Sequence, residues 1–367
     1  MVEKGEILII KLSSIGDVVH TLPSLGALYH LYPSANITWL VEEDASTLLE
    51  GHPYLNRVIV SRRKRWLAQF KKPSLWVSTV QQIIRFIRKV RSVDYDLIID
   101  FQGLLKSGLL VFLCRGKRKV GYDKSRELSY LFLNERYPPG PLEQHALEKN
   151  LNLVKSISGA TDREDIFQGG NRTSLIAIGE KERRTVDDFL KEQEIIDSKP
   201  LIVVNTTARW ETKLWDFHNF ARLSVQLIDK YDAQIVFSGP KPDSPSIEEI
   251  ISLMRGQAVN ASGKTTLKEL AYLLKRADLV ITTDSGSMHI AAAMGTPLVA
   301  LFGPTAPWRT GPYSKNAEIV KSQLVCSPCF KRTCKHSSCM KGITVEDVFY
   351  TVDRQLQRKQ KTGDSCN

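Results

Sequence analysis

No stretch of this 367-residue chain is apolar for long enough to cross a bilayer. The longest uncharged apolar run, near residues 109–114, falls far short of the roughly 20 residues that a spanning helix needs. The N-terminus, Met-Val-Glu-Lys-Gly-Glu, leads straight into a strand-like segment and carries no signal-peptide pattern. Cysteine is scarce: six residues in a chain of this length do not make a disulfide framework, and a reducing compartment is expected. The dinucleotide fingerprint Gly-x-Gly-x-x-Gly is missing, which argues against a nicotinamide enzyme. Helix-turn-helix, zinc-finger and RNA-stacking signatures are missing too, so nucleic acid is not an expected partner. What remains is the expectation of a cytoplasmic globular protein, 42% hydrophobic and 25% charged, long enough for two domains of ordinary size.

Charge is present in excess and unevenly placed. The formal net charge is +11, and residues 57–124 hold seventeen Lys and Arg against four acids. The densest parts are Arg62-Arg63-Lys64-Arg65, the group Arg85, Arg88, Lys89 and Arg91, and Lys117-Arg118-Lys119. Such a field either solubilises the surface or attracts an anionic partner. Trp66, Leu67, Phe70 and Trp76 interleave with the first cluster, a mixture that suits a membrane interface or an amphiphilic ligand.

Strand and helix patterns alternate along the whole chain, which predicts an α/β protein with mostly parallel sheets. In the first half strands are expected at 6–12, 37–41, 57–60, 97–100 and 119–121, with helices at 17–32, 77–90, 104–113, 145–158 and 179–193. A second alternation follows, with strands at 201–205, 234–238, 258–260, 279–283 and 297–302. Its helices are expected at 217–230, 246–254, 267–277 and 287–294, and a closing helix at 345–357. Two Rossmann-like halves in tandem, with a cleft between their C-terminal strand edges, are the expected architecture.

Four segments carry chemistry. In Ile7-Leu-Ile-Ile-Lys-Leu-Ser-Ser-Ile-Gly-Asp17 a buried strand breaks and Asp17 opens a helix. That position suits a helix cap, and it equally places a carboxylate at the crevice of an open sheet. In Thr282-Thr-Asp-Ser-Gly-Ser-Met-His289 a strand ends at Asp284, and Ser285 and Gly286 begin a helix of small residues. Its free N–H groups make an anion site, with His289 one turn in; the alternative is a capped helix built for packing. In Ala208-Arg-Trp-Glu-Thr-Lys-Leu-Trp215, Arg209 and Lys213 follow a strand end and could neutralise a departing diphosphate. Otherwise the segment is a surface loop over two packed tryptophans. Phe302-Gly-Pro-Thr305 is a tight turn whose Thr305 could touch a phosphate.

Taken in order, the run from Ser13 to Pro23, Asp100-Phe-Gln-Gly-Leu-Leu-Lys106, the Ala208 to Trp215 loop, the Thr283 to His289 segment and Phe302 to Thr305 resemble segments of the bacterial lipopolysaccharide heptosyltransferases, glycosyltransferase family 9. Val41-Glu-Glu43, the Arg62 to Trp66 cluster and Ser125-Arg-Glu-Leu resemble the heptosyltransferase I branch. The resemblance implies the GT-B fold, with an acceptor-binding domain at 1–180, a nucleotide-sugar domain at 181–345, and a terminal helix and tail at 346–367. It implies inverting transfer of L-glycero-D-manno-heptose from ADP-heptose to the Kdo region of lipid A, at the cytoplasmic face of the inner membrane. Asp17 matches the family's general base and Lys213 its cation on the donor diphosphate. Asp284, Ser285, Gly286 and His289 match the donor loop, and Thr265 the adenine pocket. Lys106, Arg126 and the cluster Arg62, Arg63 and Arg65 fall where the anionic acceptor is received. The acid expected on the ribose is Asp243, preferred over Glu248. The loop before Lys213 is longer than in compact family members, which leaves the role of Arg209 open.

The transfer needs one base, cations for the leaving group and a closed site, so no catalytic cofactor is expected. Cys326, Cys329, Cys334 and Cys339 cluster late in the chain, where a structural zinc, free thiols or a redox-labile pair are all consistent with the spacing. The rival readings are a transferase of the same fold acting on another nucleotide sugar or a later heptose acceptor, and a protein binding anionic lipid or nucleic acid with a non-catalytic cleft.

Overall fold

Short Val- and Ile-rich runs that are apolar at every position suit strands buried on both faces, and a sheet covered on both faces by helices is parallel. The computed structural model describes residues 5–141, 143–159, 166, 176–254 and 258–364, with the backbone alone at Arg126 and 359–364. It divides into two units, Met1–Ala177 and Ile178–Asn367.

The first unit holds six parallel strands in the order β3-β2-β1-β4-β5-β6. They are β1 (Glu6–Ile10), β2 (Asn36–Glu42), β3 (Arg57–Ser61), β4 (Asp94–Asp100), β5 (Arg115–Tyr122) and β6 (Glu135–Tyr137). The second unit repeats the plan as β12-β11-β10-β7-β8-β9. Its strands are β7 (Leu201–Asn205), β8 (Gln234–Ser238), β9 (Val259–Asn260), β10 (Leu279–Thr283), β11 (Leu298–Phe302) and β12 (Ala317–Lys321). In both sheets the first strand lies beside the fourth, and chain direction across the sheet reverses there. Ligands of open α/β sheets bind at this switch point, outside the C-terminal strand ends.

Several expectations need correction. The helix expected over 17–32 is two helices, Ile15–Val19 and Leu22–Leu31. Pro23 stands in the first turn of the second, where its missing N–H costs nothing, but it cannot continue a preceding helix. The helix Arg63–Gln69 has no counterpart in the expected elements, and neither do β6 and β12, the sixth strand of each sheet. Both strands are edge strands with exposed or half-exposed charged residues, the usual way an edge is kept from pairing further.

One face of the first sheet buries Leu8, Ile10, Ile59 and Ile98 against Trp66, Phe86, Val90 and Val111 from the helices. In the second unit Trp215 is buried, meets Phe220 edge-on with centroids 4.9 Å apart, and donates its indole N–H to the Ile343 carbonyl at 2.9 Å. The final helix, Val345–Asp364, belongs to this unit: Val348, Val352 and Leu356 join the same core.

Candidate active site

In the first unit the chain leaves β1 through Ser13 and Ser14, joined by a cis peptide. Ser14 is the N-cap of the helix Ile15–Val19 and Asp17 its third residue. Asp17 therefore does not cap the helix. It is the acid of a capping box, its Oδ2 accepting the Ser14 N–H at 2.8 Å and the Ser14 hydroxyl at 2.9 Å. The half-buried carboxylate is thus held beside the end of β1.

Across the switch point, Asp100 ends β4 fully buried. Its Oδ1 accepts the Gln102 and Gly103 N–H groups at 2.9 and 3.2 Å, and its Oδ2 accepts the Ser107 hydroxyl at 2.8 Å. Burial pushes this carboxyl above its ordinary value, against those hydrogen bonds and nearby Lys11. Gln102 then reaches over: its Oε1 accepts from Leu12 N at 3.0 Å and Ser13 N at 3.1 Å. Lys11 Nζ returns a bond to the Phe101 carbonyl at 3.0 Å. The loops after β1 and β4 are cross-linked, and Asp17 stands on the result.

The residues expected to meet an anionic acceptor divide. Lys106 Nζ is engaged by Ser13 Oγ at 2.9 Å and by Glu42 Oε1 at 3.1 Å. Glu42, buried at the end of β2, also accepts from Arg63 Nε at 3.1 Å, while its Oε2 has no partner among the described residues. Arg62 pairs with Glu43 at 3.1 Å and Lys64 with Asp44. Arg65 is exposed and makes no ion pair among the described residues. The Arg126 side chain lies outside the described residues. An Asp-x-Asp spacing, Asp94-Tyr95-Asp96, sits at the opposite, N-terminal end of β4. There Asp96 accepts from Glu6 N and Lys117 and is spent on the sheet edge.

In the second unit Lys213 Nζ lies 2.6 Å from Asp284 Oδ2, both side chains largely buried. Thr305 donates its hydroxyl to the same oxygen at 2.6 Å, so Thr305 serves Asp284 first. Lys213 also stands 4.6 Å from the centre of the Trp210 ring. An ammonium has three donors, so the pair leaves Lys213 able to bind a further anion. Asp284 Oδ1 makes no hydrogen bond among the described residues. Of the two tryptophans in this loop, Trp215 is core and Trp210 faces the cations Lys213 and Arg332. Arg209 is exposed and forms no ion pair among the described residues.

Ser285 is the N-cap of the helix Gly286–Ala293, but its side chain does not cap it. The hydroxyl is drawn instead to Asn205 Oδ1 at 3.1 Å and Thr282 Oγ1 at 3.2 Å. The first-turn N–H groups are left for an anion rather than for Ser285. His289 is buried in this helix. The side chain of Asp243, half-buried after β8, makes no hydrogen bond among the described residues, whereas Glu248 is tied to Asn260 Nδ2 at 3.0 Å. Thr265 is half-buried in the loop after β9. Along the C-terminal edge of this sheet the order is therefore Thr265, Asp243, Lys213, Asp284 with Ser285 and Gly286, then Thr305.

The cysteine segment braces this edge. Cys329 and Phe330 N–H groups bond the Pro304 carbonyl at 3.1 and 2.8 Å, and Thr212 Oγ1 bonds the Lys331 carbonyl at 2.9 Å. Cys339 is buried, and desolvation raises its thiol pKa. Cys334 is exposed, with its thiol pKa lowered by the His336 and Ser337 N–H groups. Cys326 is exposed and Cys329 half-buried. Among the described residues no three His, Cys, Asp or Glu side chains are gathered for a metal. Cys114 is buried, its pKa pushed up to about 12, and Cys366 lies outside the described residues.

Asp100, Gln102, Glu42 and Asn205 had no assigned role in the sequence. The side chains of Gln102 and Asn205 bond partners 33 to 90 residues away, and that of Glu42 partners 21 and 64 residues away, beyond any local pattern. Asp100 bonds groups of its own loop and of the helix that follows; for Glu42, Asp100 and Asn205 the one available signal was a polar residue closing an otherwise buried strand.

The Glycosyltransferase family 9 (heptosyltransferase) profile matches residues 83–340. The chain is 29% identical over 338 residues to lipopolysaccharide heptosyltransferase 1 of Pseudomonas aeruginosa, covering 90% of this chain and 87% of that protein. It is 34% identical over 345 residues to lipooligosaccharide heptosyltransferase 2 of Campylobacter jejuni, covering 91% and 93%. The structure of the Escherichia coli heptosyltransferase WaaC with ADP superposes with a TM-score of 0.73 at 25% identity, over 95% of this chain and 99% of that one.

Proposed function

This chain belongs to glycosyltransferase family 9 and is a heptosyltransferase of lipopolysaccharide core synthesis; from that premise we propose that it moves L-glycero-D-manno-heptose from ADP-heptose to the Kdo region of lipid A. The observation that carries the donor half is the Lys213–Asp284 pair beside a helix N-terminus that Ser285 leaves uncapped. A nucleoside diphosphate sugar lies along this edge with adenine toward Thr265, ribose toward Asp243 and diphosphate over Gly286 and Lys213. Asp284 Oδ1 takes a sugar hydroxyl.

Asp17 accepts the proton of the acceptor hydroxyl as that oxygen attacks the anomeric carbon from the face opposite the diphosphate, inverting the centre. The carbon–oxygen bond to ADP breaks, and the charge left on the diphosphate meets Lys213 and the first-turn N–H groups of the helix Gly286–Ala293. The step as written needs no cofactor. Asp100 and Gln102 position the Asp17 loop without touching substrate. The acceptor is a membrane lipid, so we place the enzyme peripherally at the cytoplasmic face of the inner membrane; among the described residues no helix is long and apolar enough to cross it.

A second reading, transfer to a later core heptose, is favoured by one finding: relatives named heptosyltransferase 1 and heptosyltransferase 2 match over similar lengths. Transfer from a panel of nucleotide sugars to Kdo-capped lipid A, and to the same lipid already bearing one heptose, separates the two by mass spectrometry. Product on the first acceptor supports the proposal. Product on the second alone supports the later step, and no product from ADP-heptose on either overturns both.

A further inference from the structure

We infer that the helices Arg63–Gln69 and Trp76–Val90 form a docking face for an anionic phospholipid bilayer. Between Glu50 and Asp94 the chain holds eleven Lys and Arg and no acid. Three cations at the start of this stretch, Arg62, Arg63 and Lys64, are taken up by Glu43, Glu42 and Asp44 at the end of β2 and beyond it. Arg65, Lys71, Lys72, Arg85, Arg88 and Lys89 are all exposed and make no ion pair among the described residues.

The same two helices expose apolar side chains where the core has no use for them. Leu67 is 55% exposed, Trp76 52% and Val77 73%; Phe70, Val80 and Ile84 are exposed as well. In the helix Trp76–Val90 the buried stripe is Thr79, Phe86 and Val90. Val77, Val80 and Ile84, spaced by three and four residues, run as a second stripe beside it. Its apolar arc is wider than the core covers, and Arg85 and Arg88 lie beyond it. Single exposed apolar residues are ordinary, whereas a contiguous set rimmed by one sign of charge marks an interaction surface.

A neighbouring helix extends the face. Leu105, Leu109 and Phe112 of Leu105–Leu113 form another exposed stripe. Buried residues of this helix and of the first two, Val111, Trp66 and Phe86, share one core on the same side of the sheet. Aliphatic stripes enter the acyl boundary while Lys and Arg meet phosphate headgroups, and Trp sits between. Single-stranded nucleic acid would instead need stacked aromatic platforms, and here most of the exposed apolar residues are aliphatic.

The inference deepens the reading of a membrane-lipid acceptor, yet its test does not depend on transfer. Full-length protein is floated with vesicles of phosphatidylethanolamine and phosphatidylglycerol, or of phosphatidylcholine alone. The wild type should bind the anionic vesicles at least tenfold better, and less well as salt rises. Lys71→Ala/Lys72→Ala/Arg85→Ala and Val77→Ser/Ile84→Ser should each lose about tenfold in vesicle binding while keeping the wild-type melting temperature. Both should keep transfer to a detergent-dispersed acceptor. Equal binding to both vesicle types, or unchanged binding by both variants, overturns the inference. So does displacement of the vesicles by an oligonucleotide of equal charge, or dimerisation abolished by the apolar variant. Vesicle binding without any heptose transfer leaves the docking face standing and removes the acceptor reading.

Discussion

The two switch points are built alike and used oppositely. Each sheet runs in the same order, and each sets a lysine against a buried carboxylate at its C-terminal edge: Lys106 with Glu42 at 3.1 Å, Lys213 with Asp284 at 2.6 Å. In the first unit the lysine is absorbed by Ser13 and Glu42, and the group presented beyond the pair is a carboxylate, Asp17. In the second the carboxylate is absorbed by Lys213 and Thr305, and what remains for a ligand is a cation beside an uncapped helix start. On the proposed reading a single scaffold offers a proton acceptor at one edge and an anion site at the other, which are the two things an inverting transfer requires.

The sharpest way to break this comparison is Asp17→Asn. The amide keeps the size of the side chain and removes the base, so kcat should fall by roughly 10²- to 10⁴-fold with donor affinity retained; a loss under about tenfold would return Asp17 to a purely structural role. Lys213→Ala acts on the other edge. It should weaken donor binding and slow transfer together, and leaving Asp284 buried without its cation should cost about 3 kcal/mol of stability, read by chemical denaturation.

The support beneath Asp17 is tested next. Asp100→Ala strands two N–H groups, while the Ser107 hydroxyl keeps the Leu104 carbonyl, with an expected loss of about 1–3 kcal/mol and slower transfer at unchanged donor KM. Asp100→Asn can keep the arrangement, its oxygen toward Gln102 and Gly103 and its amide toward Ser107. The native carboxyl is raised above its ordinary 3.8, so the fold favours the protonated form. The stability this contributes is present below pH 3.8 and lost as pH rises through the native value. Wild type should therefore lose stability relative to Asp100→Asn over that window; a constant difference across pH would contradict the buried-acid reading. The smallest effect is expected from Glu42→Gln, which keeps an acceptor oxygen for Lys106 and Arg63 but removes the charge. Acceptor KM should change by about fivefold, the scale of a hydrogen bond that loses its charge, with donor KM unmoved.

How much of this could be read beforehand follows from what each element depends on. β7, β8 and β10 were expected at the bounds they occupy, because strands buried on both faces are written as unbroken apolar runs between turn residues. The sixth strands were not, because an edge strand looks like a loop until its neighbour is known. Asp17, Lys213 and Asp284 were legible as polar residues placed after strand ends, where the proposed chemistry would need them. Their settings were not: the bond from Gln102 to Leu12 spans 90 residues, and that from Thr305 to Asp284 spans 21. The Arg62 to Arg65 cluster read as one basic patch, whereas the fold divides it between acid-paired Arg62, Arg63 and Lys64 and Arg65, which makes no ion pair among the described residues.

Calorimetric titration of ADP into the wild type, Asp17→Asn and Lys213→Ala tests the division of labour most directly. Asp17→Asn should bind ADP as the wild type does, while Lys213→Ala should bind at least tenfold more weakly, about 1.4 kcal/mol. Undiminished ADP binding by Lys213→Ala, or loss of it in Asp17→Asn, would contradict the assignment of base and anion site to the two edges.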